Sequence, residues 1–193
     1  PVVAALNGTV AGAGAVIASA CDFRVATDKA KIAFLFVRVG LSGADMGAAW
    51  LLPRLVGHSH ATAMLMTGEF TSAAKAKEIG LYHQVVEGDV MPAARALAEK
   101  LARGPKDALA ATKAAIDLEA AMDLEAGLHH EAEAQAQLML GPDYKEGYLA
   151  FTEKRDPKFP CRDRISTPSP PSSSRVIRRW RRRSTPSART RWG

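Results

Sequence analysis

The sequence predicts an α/β fold in which strand–helix units come first and a run of helices follows. Short apolar runs bounded by turn residues fill the first half of the chain, as buried strands do. Apolar residues at helical spacing fill the region after Met91. With 47% hydrophobic residues, the chain of 193 residues is rich enough to build a core, and its length fits one domain or a large piece of one.

The first elements are a strand and a buried helix. Residues 2–6 are apolar and end at Asn7-Gly8, a pair that tolerates positive φ, so we expect a strand closed by a turn. The small residues Gly12-Ala13-Gly14 then predict a tight turn into a helix over residues 15–20. Alternation of polar and apolar side chains predicts two further strands, at residues 22–26 and 31–34.

The middle of the chain predicts a loop, a helix and a last strand. Glycines favour a loop over residues 37–45, and an apolar helix follows from Met46, with Pro53 expected to kink it. Ser72 is a suitable N-cap and Gly80 a suitable stop for a short helix. A strand at 81–86 precedes four predicted helices, at 92–103, 107–121, 123–139 and 143–155.

The net charge of +6 belongs to the C-terminal tail. Residues 161–193 hold ten of the 26 basic residues and one of the 20 acidic residues, which gives this tail +9 and leaves −3 for the rest. A basic excess normally indicates a nucleic-acid partner. The tail is rich in Arg, Ser, Pro and Thr, so we expect residues 160–193 to be disordered, and we hypothesise that they derive from a frameshift.

The two cysteines and the histidines suggest neither disulfides nor a metal. Cys21 and Cys161 give no ligand spacing, which fits a reducing, cytoplasmic compartment. His129 and His130 are adjacent and therefore face different sides of a helix, so no metal site is expected. No apolar run approaches the roughly 20 residues of a membrane span, and no membrane partner is expected.

Several ordered blocks make residues 1–159 similar to the crotonase superfamily, the enoyl-CoA hydratase/isomerase enzymes. The blocks are residues 1–8, Ala11-Gly12-Ala13-Gly14, Ala20-Cys21-Asp22-Phe23-Arg24, residues 39–57, residues 65–81 and residues 146–159. The resemblance implies a crotonase-like ββα spiral over residues 1–87, N-terminally truncated by about a hundred residues, and a C-terminal helical region over 88–159. It also implies an acyl-CoA substrate with no separate cofactor, because coenzyme A is carried as part of the substrate, and a homotrimer or hexamer when the protein is full length.

The resemblance assigns a role to Ala13. Crotonase-type reactions build negative charge on a thioester oxygen, and backbone N–H groups at a helix N-terminus stabilise it. By resemblance one donor is the N–H of Ala13. The alternative is that the small residues of this turn only let a buried helix pack closely.

The acid–base residues depart from the family pattern. Typical hydratases carry two glutamates at positions that match Val16 and Phe36, and neither side chain can transfer a proton. Asp45 resembles the loop aspartate that dienoyl-CoA isomerases and 4-chlorobenzoyl-CoA dehalogenase use, and we expect apolar neighbours such as Phe36 and Trp50 to surround it. Its alternative role is an N-cap for the following helix.

Three functions therefore remain open. The main one is an enoyl-CoA hydratase/isomerase family protein that acts through an oxyanion hole, with Lys154 resembling the lysine that reaches the coenzyme A phosphates. The second is a catalytically inactive fragment, which leaves open whether the chain is an enzyme. The third and least favoured is nucleic-acid binding by the basic tail.

Overall fold

The computed structural model describes residues 1–159, and the prediction of a disordered tail at 160–193 lies outside these residues. The strands are β1 Val3–Leu6, β2 Val10–Ala11, β3 Phe23–Thr27, β4 Lys31–Ala33, β5 Thr71–Ser72 and β6 Gln84–Val86. The helices are α1 Ala13–Ala20, α2 Ala48–Thr67, α3 Ala73–Glu78, α4 Met91–Ala102, α5 Lys106–Glu119, α6 Leu124–Met139 and α7 Pro142–Thr152. This order confirms the predicted α/β fold, in which strand–helix units precede a helical region.

Two small sheets form the first half of the chain. One has the strand order β1-β3-β6 with parallel pairing throughout, and the other has the order β2-β4-β5, with β2 and β4 parallel and β5 antiparallel. Parallel strands need crossover connections, and the connection from β1 to its parallel neighbour β3 passes through β2 and α1. Within residues 1–159, β1 lies at the edge of its sheet.

The hydrophobic core lies between the strands, α1 and α2. Its largest fully buried side chains include Phe34, Ile32 and Leu52, and small residues such as Ala15 let α1 pack closely on them. A second cluster of Val25, Val90 and Ala94 attaches α4 to the first sheet.

Local geometry departs from the sequence prediction at several points. Neither Asn7 nor Gly8 has a positive φ, and the first residue that does is Gly12. The break in α2 occurs at Gly57, with φ 76° and ψ 164°, and not at Pro53. Pro53 lacks an N–H but keeps a helical φ, whereas the backbone conformation of Gly57 cannot belong to a helix.

The C-terminal helices pack mainly on one another. α5 packs against α6, and α6 against α7, while Lys113 on α5 makes a 2.8 Å ion pair with Asp22 at the end of the first sheet. His130 Nδ1 lies 2.8 Å from the Glu119 carboxylate and joins α6 to α5. None of the helices in the described part of the chain is long and apolar enough to cross a membrane.

Candidate active site

The turn into α1 depends on one glycine. Gly12 has φ 55° and ψ −127°, a conformation that L side chains rarely adopt and that suits the first central residue of a type II′ turn. Its N–H donates to the carbonyl of Ala33, at the end of β4, over 3.0 Å. The start of α1 is therefore fixed against the carboxyl end of β4.

This turn leaves two N–H groups available at the N-terminus of α1. The Gly12 carbonyl accepts from Ala15 and Val16 at 3.0 and 3.3 Å, while the N–H groups of Ala13 and Gly14 donate to no acceptor within residues 1–159. Ala13 and Gly14 are both exposed. Because the aligned peptide dipoles make this helix end positive, the two groups form a suitable site for a negatively charged oxygen.

The Asp45 carboxylate is accessible and unbonded. It makes no hydrogen bond to any residue that the structure describes, and its side chain lies at the surface. The N-cap of α2 is Gly47, with φ 91° and no side-chain cap, so the capping role predicted for Asp45 was wrong. The expected apolar wall around Asp45 was also wrong, because residues 44–47 are all exposed.

The loop that carries Asp45 is held at both ends. Gly43 is buried against α2, where an added Cβ would collide with the carbonyl of Leu65. On the other side, the Asp45 carbonyl accepts from the N–H of Ala48 over 2.8 Å, and Met46 takes a left-handed φ of 50°. This φ is disfavoured for a residue with a side chain, so the conformation of Met46 depends on the contacts that hold the two ends of the loop.

The two positions that carry glutamates in typical hydratases belong to the core. Val16 is only 2% exposed and packs in the main core cluster. Phe36 is partly buried against the same cluster, within a 3-10 turn over Leu35–Val39. Neither position supplies a proton donor or acceptor. Neither the Ala13 N–H nor the Asp45 carboxylate has a hydrogen-bond partner within residues 1–159, so both groups are available to a ligand.

Lys154 lies immediately after α7. Its φ is 54°, a left-handed conformation that costs a lysine roughly 1 kcal/mol, and its N–H donates to the Phe151 carbonyl over 3.3 Å. The next residue, Arg155, contacts both carboxylate oxygens of Glu146 at 2.7 and 3.1 Å, and this contact lowers the pKa of Glu146 to about 2. Lys154 is exposed, and no hydrogen bond joins it to Ala13 or Asp45 among the described residues.

A cavity of about 770 Å³ lies at the other end of α1. Its lining includes Cys21 and Arg24 at the end of the helix, Leu51 on α2 and Ile116 on α5. Neither Ala13 nor Asp45 is among the residues that line this cavity. Sequence reasoning missed Arg24, although a charged residue inside an otherwise apolar strand was a visible signal.

These features define an α/β protein whose first helix presents unpaired backbone donors and which carries an exposed carboxylate in a later loop. The family model of the enoyl-CoA hydratase/isomerase enzymes matches residues 1–162. The chain therefore belongs to the enoyl-CoA hydratase/isomerase family and has the crotonase fold that its sequence predicted.

Relatives of known sequence and structure support this assignment. The chain is 42% identical to a probable enoyl-CoA hydratase of Rhodobacter capsulatus over 82% of this chain and 62% of the relative. It is 39% identical to a trans-2-decenoyl-[acyl-carrier-protein] isomerase of Streptococcus mutans over 82% of this chain and 60% of the relative. A solved structure from Streptomyces coelicolor A3(2), assigned as an enoyl-CoA hydratase, superposes with a TM-score of 0.81 at 55% identity, covering 84% of this chain and 59% of that one. The chain thus spans about three-fifths of the length of these relatives.

Proposed function

We propose that the protein binds acyl-CoA thioesters and polarises the thioester carbonyl with the N–H of Ala13. The observation that carries this proposal is the N-terminus of α1, where Ala13 and Gly14 are exposed residues and their N–H groups have no acceptor within residues 1–159. An enolate oxygen placed there would gain charge-assisted hydrogen bonds. One such donor contributes about 3 kcal/mol to lowering a barrier.

We further propose that the reaction is an isomerisation with Asp45 as the acid–base group. The Asp45 carboxylate takes a proton from the carbon beside the thioester carbonyl, and negative charge moves onto the carbonyl oxygen. The same carboxyl group then returns the proton farther along the acyl chain, so the double bond moves and no atom is gained. Hydration would also require activation of a water molecule, and apolar Val16 and Phe36 offer no group for that step.

Coenzyme A enters this proposal as part of the substrate, and no separate cofactor is included. Lys154 is the candidate contact for its phosphates, because its ammonium group lies at the surface on a short turn after α7. A lysine interacts with phosphate as a compact positive charge. Replacing Lys154 with Ala should weaken coenzyme A binding, and unchanged binding by calorimetry would remove this residue from the site.

The assembly and location of the protein are also proposed. Ile116, Leu124, Leu140 and Phe151 are each at least 70% exposed on the C-terminal helices, which favours a homotrimer or hexamer of the full-length protein. The thiol of Cys21 is free, which is consistent with a cytoplasmic enzyme of fatty acid metabolism. Light scattering that shows a monomer at micromolar concentration would contradict the proposed assembly.

The proposed reaction is tested by two assays and two variants. Purified protein is given crotonyl-CoA, to measure hydration, and a 3-enoyl-CoA, to measure isomerisation. We expect isomerisation to dominate, and Asp45→Asn to lower its rate at least a hundredfold, in line with typical general-base contributions. Asp107→Asn, an equally exposed aspartate on α5, is the matched control and should keep the full rate.

Two outcomes would contradict the proposal. A full rate in Asp45→Asn would exclude the carboxylate from the chemistry. Failure to bind or convert either thioester, by a protein with native circular dichroism, would favour the inactive fragment.

A further inference from the structure

Arg24 is a buried cation without an acidic partner among residues 1–159. It lies in β3 and is 6% exposed. Its Nε donates to the Leu81 carbonyl over 2.6 Å, and its Nη1 donates to the carbonyls of Ser19 at 3.1 Å and Ala18 at 3.3 Å. Nη1 also contacts the Cys21 carbonyl. A buried charge is costly unless polar groups surround it, so this site uses carbonyl oxygens as the compensating groups.

Three of these carbonyls belong to the C-terminal end of α1. The last turn of a helix leaves carbonyl groups without intrahelical donors, and the helix dipole makes this end negative. The Arg24 guanidinium supplies hydrogen-bond donors to these carbonyls and a positive charge to the negative helix end, because it is always charged and has several donors in one plane. It therefore caps α1 from a strand outside the helix.

The fourth carbonyl ties this cap to the sheet. Leu81 precedes β6, and Arg24 itself lies beside Ala4 of β1 in the parallel register. Arg24, a residue of β3, thus connects the end of α1 to the segment that leads into β6. At the other end of the helix, the N–H of Gly12 bonds to Ala33 of the second sheet.

The short length of α1 makes both attachments relevant to the site. Eight residues correspond to about 12 Å at 1.5 Å per residue, so the helix moves as a rigid body. A displacement at its C-terminal end would redirect the N–H of Ala13 at its N-terminal end. Hydrogen bonds that stabilise a developing charge are sensitive to such changes in direction.

We propose that Arg24 is a positioning residue, which holds α1 so that the N–H of Ala13 points at the thioester oxygen. The inference rests on the proposed function. If Arg24 only stabilised the fold, its loss would lower the melting temperature without a specific effect on the polarisation of the bound thioester carbonyl.

The test uses a conjugated aryl-acryloyl-CoA, whose absorption maximum moves to longer wavelength when its carbonyl is polarised. The variants are Arg24→Met, which removes every donor, and Arg24→Lys, which keeps the charge but cannot reach both α1 and Leu81. Lys113→Met is the matched control. It breaks the ion pair between Lys113 and Asp22 but leaves the bonds from Arg24 to the end of α1 in place. All spectra are recorded well below each melting temperature, and Arg24→Lys decides the matter if Arg24→Met does not fold.

We expect the wild type and Lys113→Met to show the full red shift. Arg24→Lys should lose at least half of it, with affinity for coenzyme A itself changed less than threefold, and kcat should fall at least tenfold with little change in KM. A full shift in Arg24→Lys would overturn the inference, and so would an equal loss in Arg24→Lys and Lys113→Met. A wild type without any red shift would instead refute the proposed function.

Discussion

Replacing Gly12 with Ala should disturb the start of α1 through backbone strain alone. An added Cβ at Gly12 meets no atom within 4 Å, so the substitution causes no collision. The residue nevertheless has φ 55° and ψ −127°, which an L side chain rarely adopts, and such strain costs about 1–3 kcal/mol. Alanine must either accept this cost or change the turn and redirect the N–H of Ala13.

Gly8 provides the matched control for this substitution. It also has open space around its Cβ position, but its φ is not in the left-handed region. Gly8→Ala should therefore be neutral or stabilise the protein by up to about 1 kcal/mol, because alanine restricts the unfolded chain.

Urea denaturation followed by circular dichroism measures both variants. A loss of about 2 kcal/mol with a slope of about 2 kcal/mol/M lowers the midpoint by about 1 M. We expect that change in Gly12→Ala, together with a weaker red shift of a bound conjugated thioester. Equal midpoints and equal spectra for wild type, Gly8→Ala and Gly12→Ala would show that the turn imposes no strain and does not aim the donor.

Three further predictions follow from single contacts. Arg155 lowers the pKa of Glu146 from the ordinary value of 4.5 to about 2. The ion pair therefore stabilises the fold fully above pH 4.5, and this stabilisation is lost as the pH falls through 2. The difference in melting temperature between wild type and Glu146→Gln should disappear over that pH range. The Tyr82 hydroxyl is buried without a partner among the described residues, so Tyr82→Phe should raise the free energy of unfolding by about 1 kcal/mol, and a lower urea midpoint would contradict this. Gly43→Ala would collide with the Leu65 carbonyl, and isomerase rates should fall as the Asp45 loop moves, whereas an unchanged rate would show that the loop tolerates the shift.

The sequence predicted most elements because their signals are local. Ser72 caps α3 by accepting from Lys75, and Gly80 ends it with φ 81°, as the pattern indicated. The two-residue strands β2 and β5 were missed, because two residues carry no periodicity and their pairing with β4 depends on distant parts of the chain. The same limit explains α2: glycine permits φ 76° and ψ 164° at Gly57, but the tertiary structure decides that the helix breaks there.

The candidate site was predictable only in part. The family resemblance pointed to Ala13, whereas the small residues of the turn alone were also consistent with close helix packing. The structure adds that the Ala13 N–H has no acceptor within residues 1–159. The capping role of Asp45 was wrong, because Met46 and Gly47 take left-handed conformations that move the helix start past it. The role of Arg24 required tertiary structure, since its partner Leu81 lies far away in the sequence.

The central claim is most directly tested by removing the hydrogen of the Ala13 amide. Proline is tolerated at the first position of a helix, where the N–H makes no intrahelical bond, so Ala13→Pro deletes the donor and keeps α1. Ala13→Ser keeps the N–H and is the control. The carbonyl stretching frequency of a bound, isotope-labelled enoyl-CoA should be lowered in wild type and Ala13→Ser and should return toward its free value in Ala13→Pro. An equally lowered frequency in a folded Ala13→Pro protein would contradict the account.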